Sequence, residues 1–464
     1  MPVFWDTFNS KSGIADRFEM ASISQRLESL PMTRTSWIIL LIIGIGWMFD
    51  AMDQGMVSGV LTAIGNDWGL SAYEKSWLMS SGTFGMILGA ALSGNIADRW
   101  GWRKVITVTL LLYSVGSALC GLCTEYWMLI VCRFITGFGL GGELPTASAY
   151  ITEMSPARCR GRNVVLLESF WAWGWIAANL VAFLVIPPYG WRIAFFVGAL
   201  PALFAAVLRY AVPESPRYLE IKGRHSEAND IVAKLEEEAG VKAVDAGPEN
   251  LAEKKMGWAD SFRMLWSRGN LRSTAVLWVI WFGINFGYYG FVLWTPSLLV
   301  ERGFDMVRSL GFTLIMCIAQ LPGYFSAAYL VERVGRKPIM IVYFLGTALA
   351  SWLFGHAGSE DAVLASGCLL YFFALGAWGC VYSYTPEVYP TDVRASGSGW
   401  ASAFGRVGAF IAPFIVPALY RLYDKDAGFM MVFAVLTACF IAVAVVVAIF
   451  GRETKNSDLA DISG

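Results

Sequence analysis

Twelve apolar stretches divide this 464-residue chain, each near the roughly 20 residues a helix needs to cross the hydrocarbon core of a bilayer. They fall at about 37–60, 76–97, 104–124, 126–150, 163–186, 192–212, 273–299, 309–331, 338–356, 362–386, 396–419 and 428–450, with short loops of Gly, Pro, Asp and Lys/Arg between them. In lipid every backbone polar group must be satisfied within its own element, so the pattern predicts an all-α membrane protein of 12 transmembrane helices. Charged residues are 15% of the chain, against roughly 25% in soluble domains, and mean hydropathy is +0.53. A water-soluble enzyme of this size is all but excluded. The formal net charge of −1 leaves no nucleic-acid footprint. His225 and His356 stand far apart, and no cysteine group has zinc-like spacing, so metallohydrolase and Ser-His-Asp chemistry lack parts. Cys120-x-x-Cys123 reads as helix-filling thiols. No metal and no cofactor is expected.

The runs group into domains. A polar cytoplasmic segment (1–36), without a cleavable-leader pattern, precedes a six-helix bundle at 37–212. A charged connector (213–272) contains HSEANDIVAKLEEEAG (225–240), which reads as an amphipathic surface helix. A second six-helix bundle follows at 273–451, then a tail (452–464). Even-numbered short loops hold ten Lys/Arg against six in odd-numbered ones, which predicts cytoplasmic termini and connector. Asp98-Arg99-x-Gly101, with Arg103-Lys104 after it, recurs as Glu332-Arg333-x-Gly335-Arg336-Lys337. Glu153-x-x-Pro156-x-x-x-Arg160 recurs as Glu387-x-x-Pro390-x-x-x-Arg394. The two recurrences share a single offset, from Asp98 to Glu332 and from Glu153 to Glu387, so the two halves are structural copies. Parallel six-span repeats are the plan of alternating-access carriers, with the ligand held between the halves near the midplane.

These residues also carry a resemblance. GNIADRWGWRK (94–104) resembles the loop motif of the major facilitator superfamily. Arg133-x-x-x-Gly137-x-Gly139, PESPRYL (213–219) and GRETK (451–455) resemble its sugar-porter-related branch. FDAMD (49–53), GGELPTAS (141–148), LLESFWAWGW (166–175), FGYYGFVLWTPS (286–297), AQLPGYFSA (319–327) and GAWGCVYSYTPEVYP (376–390) are similar to the niacin permease group of metabolite:proton symporters. Relatives of that group include aromatic-acid:proton symporters, organic anion transporters and synaptic vesicle glycoprotein 2. The sugar porters' glutamine pair in span 7 is missing; WFGINFGYYG (281–290) stands there, which argues against a sugar.

A charge near the bilayer centre costs roughly 2.5–3.5 kcal/mol on insertion scales, so each one needs a reason. Asp50 and Asp53 lie about 20 and 24 Å into span 1 and share a helix face. Arg133 enters from the other side, close to Asp50's level. A proton-coupling role for Asp50, Asp53 and Arg133 stands against a static ion pair joining spans 1 and 4. Arg406, at the midplane of span 11, matches an arginine that the resemblance assigns to anionic substrates in the organic anion transporters; the alternative is an interhelical cation paired with a glutamate. Trp171, Trp175, Tyr288, Tyr289, Trp378 and Tyr382 are the candidate aromatic wall, some of them matched to the family's ligand cage. Asn285 and Gln320 are mid-depth amides suited to a pyridine nitrogen, to water or to interhelical hydrogen bonds. Glu143 and Glu168 are placed within about 7 Å of the cytoplasmic face, as an inner proton-release site or a gate. The gate reading joins them to Asp98, Arg99, Glu153, Arg160, Glu332, Arg333, Glu387 and Arg394, as an ionic latch that holds the cytoplasmic side shut and breaks on opening.

The expectation is an inner-membrane, proton-coupled importer of a small aromatic carboxylate, nicotinate first, acting as a monomer. Benzoate, another organic acid or ion, or ligand sensing without transport are the rivals. Nicotinate is an anion at neutral pH, so uptake against a negative-inside potential calls for a co-transported proton.

Overall fold

Capping side chains and glycines set several of the turns between the apolar runs. The computed structural model describes residues 23–156, 159–241, 258–389 and 394–454. Thr33 accepts from Ser36 N–H to start span 1 (Arg34–Asp67), and a Ser71–Glu74 capping box starts span 2 (Ala72–Trp100). Span 3 is Trp102–Leu122, span 4 Tyr126–Met154, span 5 Arg160–Tyr189, and span 6 the pair Trp191–Ala199 and Pro201–Ala211. In the second half, span 7 is Leu271–Val292 continued by Thr295–Glu301, and span 8 is Met306–Ile318 with Gln320–Val334. Spans 9 and 10 are Arg336–Gly355 and Glu360–Val388. Span 11 is Arg394–Ile411 with a 3-10 turn and Ile415–Leu422, and span 12 is Lys425–Phe450. Eleven of these are long and apolar enough to cross a membrane. Span 2 is as long but carries Ser76, Ser80, Ser81, Thr83 and Ser93, which lower its hydropathy.

The sequence repeat has a physical basis. Gly101 and Gly335, equivalent in the two copies, both turn the chain with positive φ (95° and 126°), a region other residues adopt only under strain. A side chain at either would strike a carboxylate that caps the next helix: a Cβ at Gly101 would lie 2.3 Å from Glu214 Oε2, and one at Gly335 2.7 Å from Glu453 Oε2. Glu214 accepts from Arg103 N–H, and Glu453 accepts from Arg336 and Lys337 N–H. Carboxylates at these helix starts also meet the positive end of the helix dipole. The interhelical packing repeats as well. A Cβ at Gly89 would meet Phe138 O at 2.0 Å, and one at Gly323 would meet Phe372 O at 2.1 Å, the same pair of positions in the second copy. Only glycine lets these backbones approach so closely.

Direct hydrogen bonds join the halves from mid-depth toward the end opposite the connector. Thr62 pairs with Ser297 at 2.8 Å, Ser76 and Ser80 donate to Pro413 O and Phe410 O at 2.8 Å, and Asn179 Nδ2 meets Cys317 Sγ at 3.2 Å. Trp77 adds ring contacts to Phe410 and Phe414. The seam is thus closed away from the connector. The connector helix, His225–Ala239, is amphipathic and ends on left-handed Gly240. It holds the short helix Ile23–Ser29 through buried Arg26, which forks onto Glu236 at 2.7 Å and meets Asn229 at 2.6 Å.

Candidate functional site

A pocket between the halves is walled by spans 1, 2, 5, 7, 8, 10 and 11. Its walls obey the repeat. Trp47 faces it from span 1 and Trp281 from span 7; Gln54 and Tyr288, and Glu168 and Ser402, are further equivalent pairs at the same offset. Trp171, Asn285, Tyr289, Tyr324, Trp378, Tyr382 and Arg406 complete most of the polar and aromatic lining. Rings meet mainly at steep angles: Trp281 and Trp378 at 76°, Tyr288 and Trp378 at 87°, Tyr288 and Tyr289 at 88°. Trp378 and Tyr382 stack at 5.6 Å. A flat ligand therefore meets both ring faces and positively polarised ring edges.

Of the candidate wall residues, Trp175 and Gln320 are not in the lining. Trp175 is fully buried behind it, edge-on to Tyr288 at 6.0 Å and packed over Gly55. Gln320 is buried beside Cys317, where span 8 changes direction. Trp47, Gln54, Thr83, Met86, Trp281, Tyr324, Leu375, Ser402 and Ala409 are lining residues that sequence reasoning did not single out. The signal for Trp47 and Trp281 was their separation, the same one that relates the paired loop motifs.

The electrostatics are sparse. Arg406 has no carboxylate or hydrogen-bond partner among the described residues; Tyr289 and Tyr382 are its electrostatic neighbours. Tyr289 OH reaches Gln54 Oε1 at 3.4 Å across the halves. Glu168 faces the cavity from the other half, also without an ion-pair partner among the described residues, near Tyr324 and Tyr382. Trp47 Nε1, Gln54 Nε2, Tyr288 OH and Trp378 Nε1 are buried donors with no protein acceptor. A cavity with one guanidinium and several unmatched donors is built to receive hydrogen-bond acceptors.

Beside the cavity, Arg133 Nη1 donates to Asp53 Oδ2 at 2.9 Å, both groups buried. Arg133 thus meets Asp53 and not Asp50, which was placed at its level. Asp50 lies instead with Tyr113 of span 3 and Glu143 of span 4. The apolar run of span 4 stops at residue 150, which by sequence sets Glu143 near the cytoplasmic face. The helix runs to Met154, which sets Glu143 about 16 Å from its end. Span 5 likewise begins at Arg160, three residues before the expected start, and carries Glu168 about 12 Å in, to the cavity wall.

Of the remaining latch candidates, Glu387 and Glu153 make contacts within or next to their own half. Glu387 pairs with Arg336 at 2.8 Å and accepts from Thr454 at 2.6 Å. Glu153 accepts from Ser215, and Tyr218 OH donates to Arg99 O at 3.0 Å. Arg333 lies over Tyr329 at 4.4 Å, and Glu332 is exposed. The side chains of Asp98, Arg160 and Arg394 lie outside the described residues.

The profile of the family described as "Sugar (and other) transporter" matches residues 37–464. The chain is 45% identical over 438 residues to the niacin transporter NiaP of Acinetobacter baylyi, covering 94% of this chain and 98% of that one. It is 41% identical to a Bacillus subtilis protein named as a candidate niacin/nicotinamide transporter, covering 91% and 97%. Among solved structures, a partially occluded inward-open form of the xylose transporter XylE from E. coli superposes with a TM-score of 0.73 at 21% identity, covering 91% of this chain and 99% of that one.

Proposed function

This chain belongs to the sugar (and other) transporter family of the major facilitator superfamily, and from that premise we propose that it is a proton-coupled importer of nicotinate. The observation that carries the substrate assignment is Arg406: a cavity-lining guanidinium whose matching carboxylate is not in the protein among the described residues. A carboxylate cargo supplies it bidentately. The pyridine ring lies among Trp171, Trp281, Tyr288, Tyr289, Trp378 and Tyr382, whose faces and polar tips suit a flat aromatic ligand. Glu168, when its carboxyl carries a proton, donates to the ring nitrogen from the opposite half, so the cargo is fastened to both halves and links their movement. A hexose is disfavoured, because the wall offers aromatic faces where a sugar needs many paired hydrogen-bond groups.

Alternating access then follows from rocking of the halves about the midplane cavity. The connector and termini lie in the cytoplasm of a cell with this protein in its inner membrane, and the seam closed away from the connector corresponds to an inward-facing state. In that state Glu387 pairs with Arg336 inside the second half; the latch would form across the halves when the outer side opens. Co-transport of one proton makes entry of the monoanion electroneutral. Uptake of radiolabelled nicotinate into proteoliposomes, challenged by unlabelled nicotinate, benzoate and glucose, tests the reading. Nicotinate should compete best and glucose not at all; equal competition by glucose would overturn the assignment.

A further inference from the structure

The first half carries a cluster that neither the scaffold nor the cargo explains. Asp50 and Tyr113 are 0% exposed and Glu143 1%. Both carboxylate oxygens of Asp50, Glu143 Oε2 and Tyr113 OH lack a partner that meets hydrogen-bond geometry. Gly46, one turn from Asp50, makes the room: a Cβ there would lie 3.0 Å from Glu143 Oε1. Two carboxyls from different spans thus share one dry compartment.

Among the described residues no cation is seen to serve them. The charged and titratable groups that face the pair are Tyr113 and Asp53, and the cation nearby, Arg133, is committed to Asp53. Span 5 meets this stretch of span 1 with Phe170, Trp171, Gly174 and Trp175, none of them charged. Adjacent carboxylates buried without a counter-charge cannot both be ionised. The repeat shows that the fold does not require them. The equivalent positions in the second half, at the offset of the loop motifs, are Ile284 for Asp50, Thr347 for Tyr113 and Ala377 for Glu143. The same packing is achieved there without an acid, so the acids are kept in spite of the desolvation they suffer.

We propose that Asp50 and Glu143 form a proton-sharing pair, with the Tyr113 hydroxyl beside it, that is the loading site for the coupling proton, while the Asp53–Arg133 pair stands beside it as a separate ionic contact. The pair holds one proton between two carboxyls and carries one negative charge. Binding a second proton from water neutralises it, and releasing that proton to the other side restores the charge. Trp47, adjacent to Gly46 and three residues from Asp50, reaches from this stretch of span 1 into the cavity and against Trp171 at 5.0 Å. That gives the pair a direct mechanical neighbour at the cargo site. The proposal deepens the symport reading and rests on it for its transport consequence.

The test uses full-length protein in proteoliposomes and two measurements. In wild-type protein, infrared difference spectra across a pH titration should show a carboxylic-acid C=O band that persists into the neutral range. Asp50→Asn and Glu143→Gln should each abolish it or move its midpoint. In the second measurement, Glu143→Gln should lose accumulation of nicotinate on an imposed pH gradient, and its exchange of labelled nicotinate should no longer respond to pH. Glu143→Asp, which keeps the acid, should restore the response. A band unmoved by either substitution overturns the pair, as does wild-type accumulation in Glu143→Gln. The infrared arm needs no cargo, so a wild-type protein that ignores nicotinate but shows the band would refute the substrate assignment and leave the pair standing.

Discussion

Trp47 and Trp281 occupy equivalent positions in the two halves and face one cavity from opposite sides. Each belongs to the first span of its half, so a rocking motion that separates the halves must move these two indoles relative to each other. Their second neighbours differ: Trp47 tilts against Trp171 at 38°, whereas Trp281 donates its Nε1–H to Thr385 at 3.0 Å and stands edge-on to Trp378. The wall is symmetric in placement and asymmetric in chemistry.

Loss of the guanidinium is the sharpest test of the cavity. A hydrogen bond to a charged group contributes about 1.5–3 kcal/mol, so Arg406→Ala should weaken nicotinate binding about 10- to 100-fold. Arg406→Lys should recover only part of this, since an ammonium cannot form the planar fork. Isothermal titration of purified protein with nicotinate measures both.

The buried ion pair should behave as a unit. Asp53→Asn leaves Arg133 uncompensated and should cost about 3–5 kcal/mol of stability. Asp53→Asn combined with Arg133→Gln should be less damaging than the sum of the single changes. Melting of the four proteins in one detergent gives the coupling energy, and strict additivity would show that the contact contributes nothing.

Glycine packing predicts parallel damage in both halves. Gly89→Ala and Gly323→Ala each drive a methyl into a neighbouring carbonyl and should each cost roughly 1–3 kcal/mol. Gly399→Ala, on a helix with nothing near the new methyl, should be neutral or gain up to about 1 kcal/mol. Thermal melting in detergent distinguishes the three.

Acid should loosen the connector from span 1. Thr35 donates its hydroxyl and its N–H to Glu238 at 2.5 and 3.0 Å, and these hydrogen bonds hold the Glu238 carboxyl below its ordinary value. A group with a lowered folded value stabilises the contact above the unfolded value and loses that contribution as pH falls through the folded one. Protection of the Thr35 amide, taken relative to its intrinsic exchange rate at each pH, should therefore hold at neutral pH and fall only in acid. Glu238→Gln should remove that acid dependence.

The spans, the duplication and the lone Arg406 were legible in the sequence because each is a departure from an apolar background. What the sequence concealed was depth and rotation. Glu143 and Glu168 sit deeper than expected because helix starts and ends extend past the apolar runs, to Met154 and from Arg160. Asp50 and Asp53 are only about 60° apart around span 1, so periodicity alone could not choose which of them Arg133 meets. Trp47 and Trp281 were two among 20 tryptophans, and composition cannot separate a cavity indole from a lipid-facing one.

The confinement of the buried acids and Arg133 to one copy of a duplicated scaffold has a consequence for how voltage acts on the molecule. At the matching positions the second copy has Ile284, Gly287, Thr347, Gly367 and Ala377, none of which carries charge. Proton loading at the proposed Asp50–Glu143 site would therefore change the electrical load on one lobe alone, and a transmembrane field would pull on the molecule off-centre, favouring one tilt of the two halves over the other.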